Sequence, residues 1–276
     1  MAPKAFINNF RARFKNRVSW LIKRRIQDVR DDITELQQWV SLRQIREKLP
    51  PIPPKALQIR VAGAYYREFF QHGANMLNDL DVILQTQGTS LSNCERILDF
   101  GCGCGRLLIP GSLLLPAGRL SGTDIDEQAI QWLRENYPGF HDLGVNGFEP
   151  PTRYPAGHYD FIFGISIFTH LPEEMELAWL NELARILRPG GHGIFTIQGE
   201  NFFHLLTQPA SRVALQQKGF AYESDRVTAG LPEFYQNSFH THDYVRREWS
   251  RFFEVVAIHT RGVGKHQDAV LVRKKA

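Results

Sequence analysis

The sequence predicts an α/β fold with a mostly parallel sheet, and three observations carry that prediction. From about residue 60 to the end, strand-like and helix-like segments alternate, the pattern of a sheet built by crossover connections. The first of these strands runs directly into a turn of alternating glycines, Gly101-Cys102-Gly103-Cys104-Gly105. The last two strand-like runs, 253–258 and 268–272, are separated by fewer than ten residues. That gap is too short for a parallel crossover, so the pair is antiparallel. Parallel crossovers that end in an antiparallel hairpin distinguish this chain from a dehydrogenase, whose sheet usually stays parallel.

The elements follow in order. Residues 4 to about 48 contain neither Gly nor Pro and read as one long helix or two continuous ones, a helical extension over 1–48. Leu49-Pro50-Pro51-Ile52-Pro53-Pro54 stops any helix and opens a stiff linker over 49–59. The body is then 60–276. Its first strand is Arg96-Ile97-Leu98-Asp99-Phe100, the second lies over 120–125, and a short third falls near Gly144-Val145-Asn146. The fourth covers 160–165, and Gly193-Ile194-Phe195-Thr196-Ile197 is the fifth. No internal repeat interrupts this series.

Composition narrows the class. Hydrophobic residues make up 43% of the 276 residues and charged residues 22%, ordinary values for a globular protein. No apolar run reaches the roughly 18 residues that span a bilayer, and the N-terminus lacks the apolar core of a secretory signal. The expected compartment is the cytoplasm, with peripheral membrane association as an option. Cys94, Cys102 and Cys104 are too few for a disulfide framework, and a CxC pair with no second pair is a poor zinc site, so no metal is expected. Residues 1–60 hold 14 Lys and Arg against 5 Asp and Glu, a net +9. The remainder holds 19 against 24, a net −5, which together make the chain's +4. The basic character belongs to the N-terminal arm, which argues against a body that tracks along a phosphate backbone.

The strongest local signal is Leu98-Asp99-Phe100-Gly101-Cys102-Gly103-Cys104-Gly105-Arg106. Glycines after a strand let the backbone adopt positive φ and approach a ligand closely. The dinucleotide spacing GxGxxG fails, because the sixth position from Gly101 is Arg106. An acid before the turn, Asp99, would repel a pyrophosphate and suits a cation. Asp124, in Gly122-Thr123-Asp124-Ile125-Asp126, lies 23 residues past Gly101, where a carboxylate accepts both ribose hydroxyls. Ile125 then lies against an adenine face. Asp124 or Asp126 can also cap the helix that starts near Glu127, and the two roles are compatible.

LDFGCGCGR, GTDID, YDFIFGISIFTHL and LARILRPGG, in that order, resemble the motifs of class I S-adenosylmethionine (SAM)-dependent methyltransferases over roughly residues 60–275. Among subgroups the chain is most similar to bacterial methyltransferases of small molecules and glycans. The resemblance implies a Rossmann-like seven-stranded sheet of order 3-2-1-4-5-7-6 with helices on both faces, and SAM as cofactor. It implies that Asp99, Phe100, Gly101, Cys102 and Gly103 surround the methionine part, and that Asp124 and Ile125 hold ribose and adenine. Gly164, Ile165 and Ser166 would line the site from the fourth strand. The loop after the third strand usually supplies Asp to the adenine amine; here Asn146 stands there, followed by Gly147 and Phe148. Its amide oxygen can still accept from that amine. Arg60 and Gly63, just past the linker, are placed to reach over the cofactor.

Methyl transfer asks the protein mainly for proximity and alignment, and for a hydroxyl nucleophile a general base adds roughly 10²–10⁴-fold. Ligands lie outside the carboxyl ends of parallel strands. That rule nominates His170, one turn past the fourth strand, and His266, Gln267 and Asp268 beside Gln198 and Gly199. His240 belongs to the segment 198–240, which with Tyr222, Phe234 and Tyr235 should form a substrate wall. His170 can equally cap or pack against the next helix, and His266 can be a hairpin-turn residue. His242 reads as a helix start, and His192 lies at the wrong end of the sheet. The (N/D)PP(Y/F) motif of amino-methylating DNA enzymes and a Pro-Cys nucleophile are both absent, so a DNA base is not the expected substrate. The expected acceptor is an oxygen, less readily a nitrogen, of a small molecule or glycan. RNA or protein methylation with the basic arm as grip is the rival, and a non-catalytic SAM-binding scaffold is the rival of another class.

The arm itself leaves three readings open. Phe6, Phe10, Phe14, Val18, Leu21 and Ile22 share one stripe among the cations of residues 1–25, which suits an anionic membrane surface. Ile22, Ile26, Val29, Ile33, Leu36 and Val40 follow heptad steps, which suits homodimerisation. The third reading is a helix docked on its own domain.

Overall fold

The computed structural model describes residues 27, 29, 50–224 and 232–275. Apart from the helical Gln27 and Val29, the arm's membrane, heptad and docking readings fall outside the described residues. Among the described residues no helix is long and apolar enough to cross a membrane. A compact unit runs from Ile52 to the end of the chain. Helix α1, Lys55–Ala62, occupies part of the expected linker. Pro54 stands at its N-cap, a place where a missing N–H costs the helix nothing, and Gly63 (φ 69°) ends it with an N–H to Ile59 O.

Seven strands form one sheet in the order β3-β2-β1-β4-β5-β9-β8. They are β1 (Ile97–Phe100), β2 (Leu120–Asp124), β3 (Asp142–Val145), β4 (Tyr159–Gly164), β5 (Leu187–Ile197), β8 (Glu254–Val263) and β9 (Gln267–Arg273). Counted within the sheet, β8 and β9 are its sixth and seventh members, and the order reads 3-2-1-4-5-7-6. Strands β1 to β5 pair in parallel, and β9 runs antiparallel between β5 and β8. The remaining pair, β6 (Phe220–Glu223) and β7 (Asn237–His240), makes a separate antiparallel ribbon inside the 198–240 segment. Nothing in the alternation of the sequence announces that ribbon.

Two apolar layers cover the two faces of the sheet, as the alternation of side chains along a strand dictates. Ile97, Phe161, Phe163, Ile194 and Leu271 point into one layer with α2 (Phe69–Gln85), α3 (Leu108–Leu114) and α4 (Glu127–Asn136). Leu98, Phe100, Ile162, Phe195 and Val270 point into the other, against α5 (Glu173–Ile186) and α7 (His242–Trp249). A short helix, α6 (Pro209–Lys218), and the β6–β7 ribbon enclose a small core of their own around Phe202, Leu206, Leu215 and Phe239. This three-layer arrangement brings the carboxyl ends of β1, β2, β3 and β4 to one edge, where the glycine turn lies.

Candidate functional site

The glycine turn is pinned before any ligand arrives. The N–H groups of Gly101 and Cys102 both donate to Thr123 O, at 2.8 and 3.1 Å, and so tie the turn to β2. Gly101 (φ 77°) and Gly103 (φ 52°) hold backbone conformations that L side chains resist. A Cβ on Gly101 would stand 2.1 Å from Ile167 Cδ1, and one on Gly103 would stand 3.1 Å from Val61 Cγ2. Asp124 completes the turn: one carboxylate oxygen accepts from Gly103 N (2.7 Å) and the other from Asp126 N (2.8 Å). Burial pushes its carboxyl up to about 6, against the pull of those two N–H groups. Asp126 caps α4 through Ala129 N, so the cap of that helix is Asp126 and not Asp124.

One cavity of about 370 Å³ opens over this turn, a size suited to a small-molecule ligand. Phe100, Gly101, Cys102, Gly103, Asp124, Ile125, Asn146, Gly147, Phe148, Ile165 and Ser166 all line it, which gathers eleven of the thirteen expected cofactor residues. The other two, Asp99 and Gly164, lie behind the wall. Asp99 is 3% exposed, and burial holds its carboxyl well above the usual carboxylate range. Gly164 gives room to Phe195, 3.3 Å from where a Cβ would be. The thiols of Cys102 and Cys104 are buried and pushed up, Cys104 to about 12, so neither is a thiolate nucleophile near neutral pH. Among the described residues no cluster could hold a metal.

Helix α1 forms the roof. Ile59, Arg60, Val61 and Gly63 line the cavity, and Arg60 is latched to Asp126 by Nε–Oδ2 (2.7 Å) and Nη2–Oδ1 (2.9 Å). Its third contact is Nη1 to Gln128 Oε1, 2.7 Å. On the β3 side, Asn146 is oriented by Thr123 Oγ1, which donates to its Oδ1 at 2.9 Å, while its Nδ2 donates to Gly147 O at 2.8 Å. An amide oxygen accepts two hydrogen bonds, so Oδ1 keeps capacity for an incoming amine. Trp179 of α5 lines the cavity and donates from Nε1 to Phe148 O at 3.0 Å, which fixes the loop that carries the Phe148 ring.

The far end of the cavity is aromatic. Ser166, just past β4, is a non-glycine residue at φ 62°. Three elements hold it there. Its N–H donates to Thr196 Oγ1 (2.8 Å), its Oγ to Gln267 Oε1 (3.0 Å), and its carbonyl accepts from Tyr235 OH (2.9 Å). Strain of this kind persists where surrounding contacts over-determine it, commonly at functional sites. The Tyr235 ring stacks on His170 with centroids 4.3 Å apart, and Phe234 meets Phe148 edge-on at 5.4 Å. His170 Nδ1 is 2.5 Å from Gln236 O. A carbonyl only accepts, so Nδ1 carries the proton, and Nε2 is the basic nitrogen of the neutral ring.

Of the three candidate bases, only His170 lines the cavity. His240 is a correction: it is fully buried, with Nε2 2.7 Å from Glu176 Oε2, and the same carboxylate accepts from Trp249 Nε1 at 2.9 Å. It ties β7 to α5 and α7 and does not reach the cavity. His266 is a second correction: it is exposed in the β8–β9 turn, edge-on to Phe202 at 4.8 Å. His242 does begin a helix, α7, and its Nε2 is 2.8 Å from Asp268 Oδ2. Asp268 is therefore a buried partner and not a rim residue. The reading of the sequence missed Val61, Ile167, Trp179 and Arg106. Arg106 sits next to the glycine turn and was visible there; Trp179 gives no signal in its own helix.

The Rossmann-like sheet thus carries, at its β1–β2 edge, a glycine turn closed by the Asp124 carboxylate and a cavity above it. Residues 98–192 match the family model of a methyltransferase domain. Two solved structures share the fold. A SAM-dependent methyltransferase from Methanosarcina mazei gives a TM-score of 0.50 at 18% identity, over 69% of this chain and 97% of that one. A protein from Pyrococcus horikoshii gives 0.54 at 15% identity, over 79% and 96%. In sequence, a ribosomal protein L11 methyltransferase from Ectopseudomonas mendocina is 46% identical over 69 residues, covering 25% of this chain and 20% of that protein. One from Teredinibacter turnerae is 36% identical over 106 residues, covering 38% and 33%. The chain thus spans between a fifth and a third of the length of these curated relatives. Residues 98–192 thus match a methyltransferase domain, set in a fold shared with a SAM-dependent methyltransferase.

Proposed function

We propose that the protein transfers the methyl group of SAM to an oxygen of a small molecule or glycan, with His170 as general base. When bound, SAM supplies a methyl group activated on a sulfonium. The residues present fit such a ligand: Asp124 takes the two ribose hydroxyls, Ile125 and Phe148 cover adenine, and Asn146 accepts from its amine. The glycine turn carries the methionine part under the roof of α1. His170 Nε2 accepts the proton of the acceptor hydroxyl as its oxygen bonds to the methyl carbon and the carbon–sulfur bond breaks. S-adenosylhomocysteine and a methyl ether leave.

The observation that carries this reading is the aromatic end of the cavity. His170, Tyr235 and Phe234 supply flat faces for a ring or sugar, and no lysine is among the described lining residues. Calorimetry with SAM and S-adenosylhomocysteine should give binding that Asp124→Ala abolishes. Transfer of labelled methyl to a panel of phenols, sugars and oligosaccharides should then be lowered by His170→Ala by about 10²–10⁴-fold, with SAM affinity kept. A second reading, methylation of a ribosomal protein, draws on the short sequence likeness described above. Label that enters ribosomal proteins and no hydroxyl compound would replace the first reading with the second.

A further inference from the structure

We propose that the methyl acceptor is an uncharged phenol, a planar ring with one hydroxyl, and not a sugar or an anion; the inference rests on the methyl-transfer reading above and narrows its acceptor. Among the described residues, the carboxylates and guanidinium groups that line the cavity are those of Arg60, Arg106, Asp124 and Asp126. They belong to α1, the end of the glycine turn, and the end of β2 with the residues that follow it. The aromatic end carries none of them, and its one titratable ring is His170. A charged acceptor seated there would lose water without gaining a counter-ion. The polar groups of this end are committed as well. Four side-chain donors line it among the described residues, and each is directed at an acceptor of the protein itself. Tyr235 OH donates to Ser166 O (2.9 Å), Ser166 Oγ to Gln267 Oε1 (3.0 Å) and Trp179 Nε1 to Phe148 O (3.0 Å). The fourth, His170 Nδ1, faces Gln236 O at 2.5 Å.

What this end offers a ligand is therefore acceptor atoms, His170 Nε2 foremost, and no uncommitted side-chain donor. A phenol asks for little more. Its O–H donates to Nε2, and its ring packs on flat or apolar walls: the Phe234 ring and the side chains of Ile167 and Leu171. The His170 and Tyr235 rings are stacked at 28° with centroids 4.3 Å apart, so the base itself is held in a flat wall. As the phenol oxygen bonds to the methyl carbon and the carbon–sulfur bond breaks, the phenol proton passes to Nε2. An aryl methyl ether and S-adenosylhomocysteine leave. A pyranoside brings several hydroxyls and a ring oxygen, and those oxygens need donors. Each one buried without a donor costs roughly 10-fold in binding, so two or three set a discrimination of about 10²–10³-fold. Carboxylates and phosphates depend on donors entirely and fare worst.

The test uses three probes, para-ethylphenol, para-hydroxybenzoate and methyl glucopyranoside, on the full chain. Calorimetry into the complex with S-adenosylhomocysteine reads affinity, which decides the matter because a phenol is also the more reactive hydroxyl; labelled-methyl transfer runs beside it. Para-ethylphenol should bind about 10²-fold more tightly than either other probe and should be the one methylated. Phe234→Asn sets two N–H donors in the wall, and should raise para-hydroxybenzoate relative to para-ethylphenol by about 10-fold. Phe234→Leu keeps the wall apolar and should leave that ratio within about twofold of the parent. If the pyranoside or the benzoate binds and reacts as well as para-ethylphenol, the inference is overturned while O-methylation stands. If S-adenosylhomocysteine binds and no probe is bound or methylated, both fall. A ratio that Phe234→Asn leaves unmoved, or that Phe234→Leu moves as far, also overturns the inference. Should Phe234→Asn fail to fold, the three affinities of the parent protein decide by the same criterion.

Discussion

Acidification should strip the cofactor from this protein at a pH set by Asp124. Ribose hydroxyls donate hydrogen bonds, so the carboxylate must be ionised to accept both; once protonated, it presents a donor to them. Burial places its titration at about 6. With affinity proportional to the ionised fraction, binding is near its plateau at pH 7, falls about tenfold by pH 5 and then about tenfold per further unit. The assay is calorimetric titration with S-adenosylhomocysteine between pH 8 and 5, alongside Asp124→Asn. The variant should bind more weakly at every pH and lose the slope. A dissociation constant unchanged from pH 8 to 5, or an Asn variant with the parent's slope, would refute the reasoning.

The stability of the unliganded protein runs the opposite way, which separates this effect from general acid unfolding. The folded-state pKa of Asp124 is raised above the unfolded value of 3.8. Its contribution is therefore fully present below pH 3.8 and is lost as pH rises through about 6, a swing of about 3 kcal/mol at most. Asp99 is shifted in the same direction by burial and adds to the trend. The unliganded melting temperature should thus carry a component that declines between pH 4 and 6, while the increase produced by ligand grows over the same range. The site holds its acids ready for a ligand at some expense to the empty fold.

Three further outcomes follow from single contacts. Gly103→Ala places a Cβ 3.1 Å from Val61 Cγ2 at φ 52°, so it should cost about 1–2 kcal/mol in urea unfolding and weaken S-adenosylhomocysteine binding by disturbing the roof. Arg60→Ala releases the latch between α1 and Asp126; both partners are partly exposed, so stability should fall by no more than about 1 kcal/mol, while stopped-flow should show faster ligand dissociation. Glu176→Ala leaves His240 and Trp249 Nε1 buried without their acceptor, and should cost about 3–5 kcal/mol with the cofactor-facing residues untouched. A melting curve for Glu176→Ala that superimposes on the parent would contradict the structural role given to His240.

What could be read from the sequence was the chemistry that a short stretch of backbone completes by itself. The turn after β1 needs glycines because φ is positive at Gly101 and Gly103, and the acid that closes it, Asp124, stands at the end of the neighbouring strand. Those constraints sit within two strand ends and their turns, so spacing alone exposes them. The aromatic end of the cavity is different in kind. His170 and His240 each stand in a histidine-bearing segment of the expected site region, and local pattern cannot rank them. What separates them is Glu176 and Trp249, 64 and 73 residues distant from their partners in the buried network, which turn His240 into a strut. His170 in turn gains its tautomer from Gln236, 66 residues away, on a segment that only the β6–β7 ribbon brings back to β4. The same logic covers α1: the proline run forbids a helix through 50–54, but nothing in it forbids one starting at Lys55, and only the Asp126 carboxylate across the cavity gives Arg60 a reason to lie there. The glycine-turn end of the cavity is thus built from local backbone, and the aromatic end from side chains that only the tertiary fold brings together.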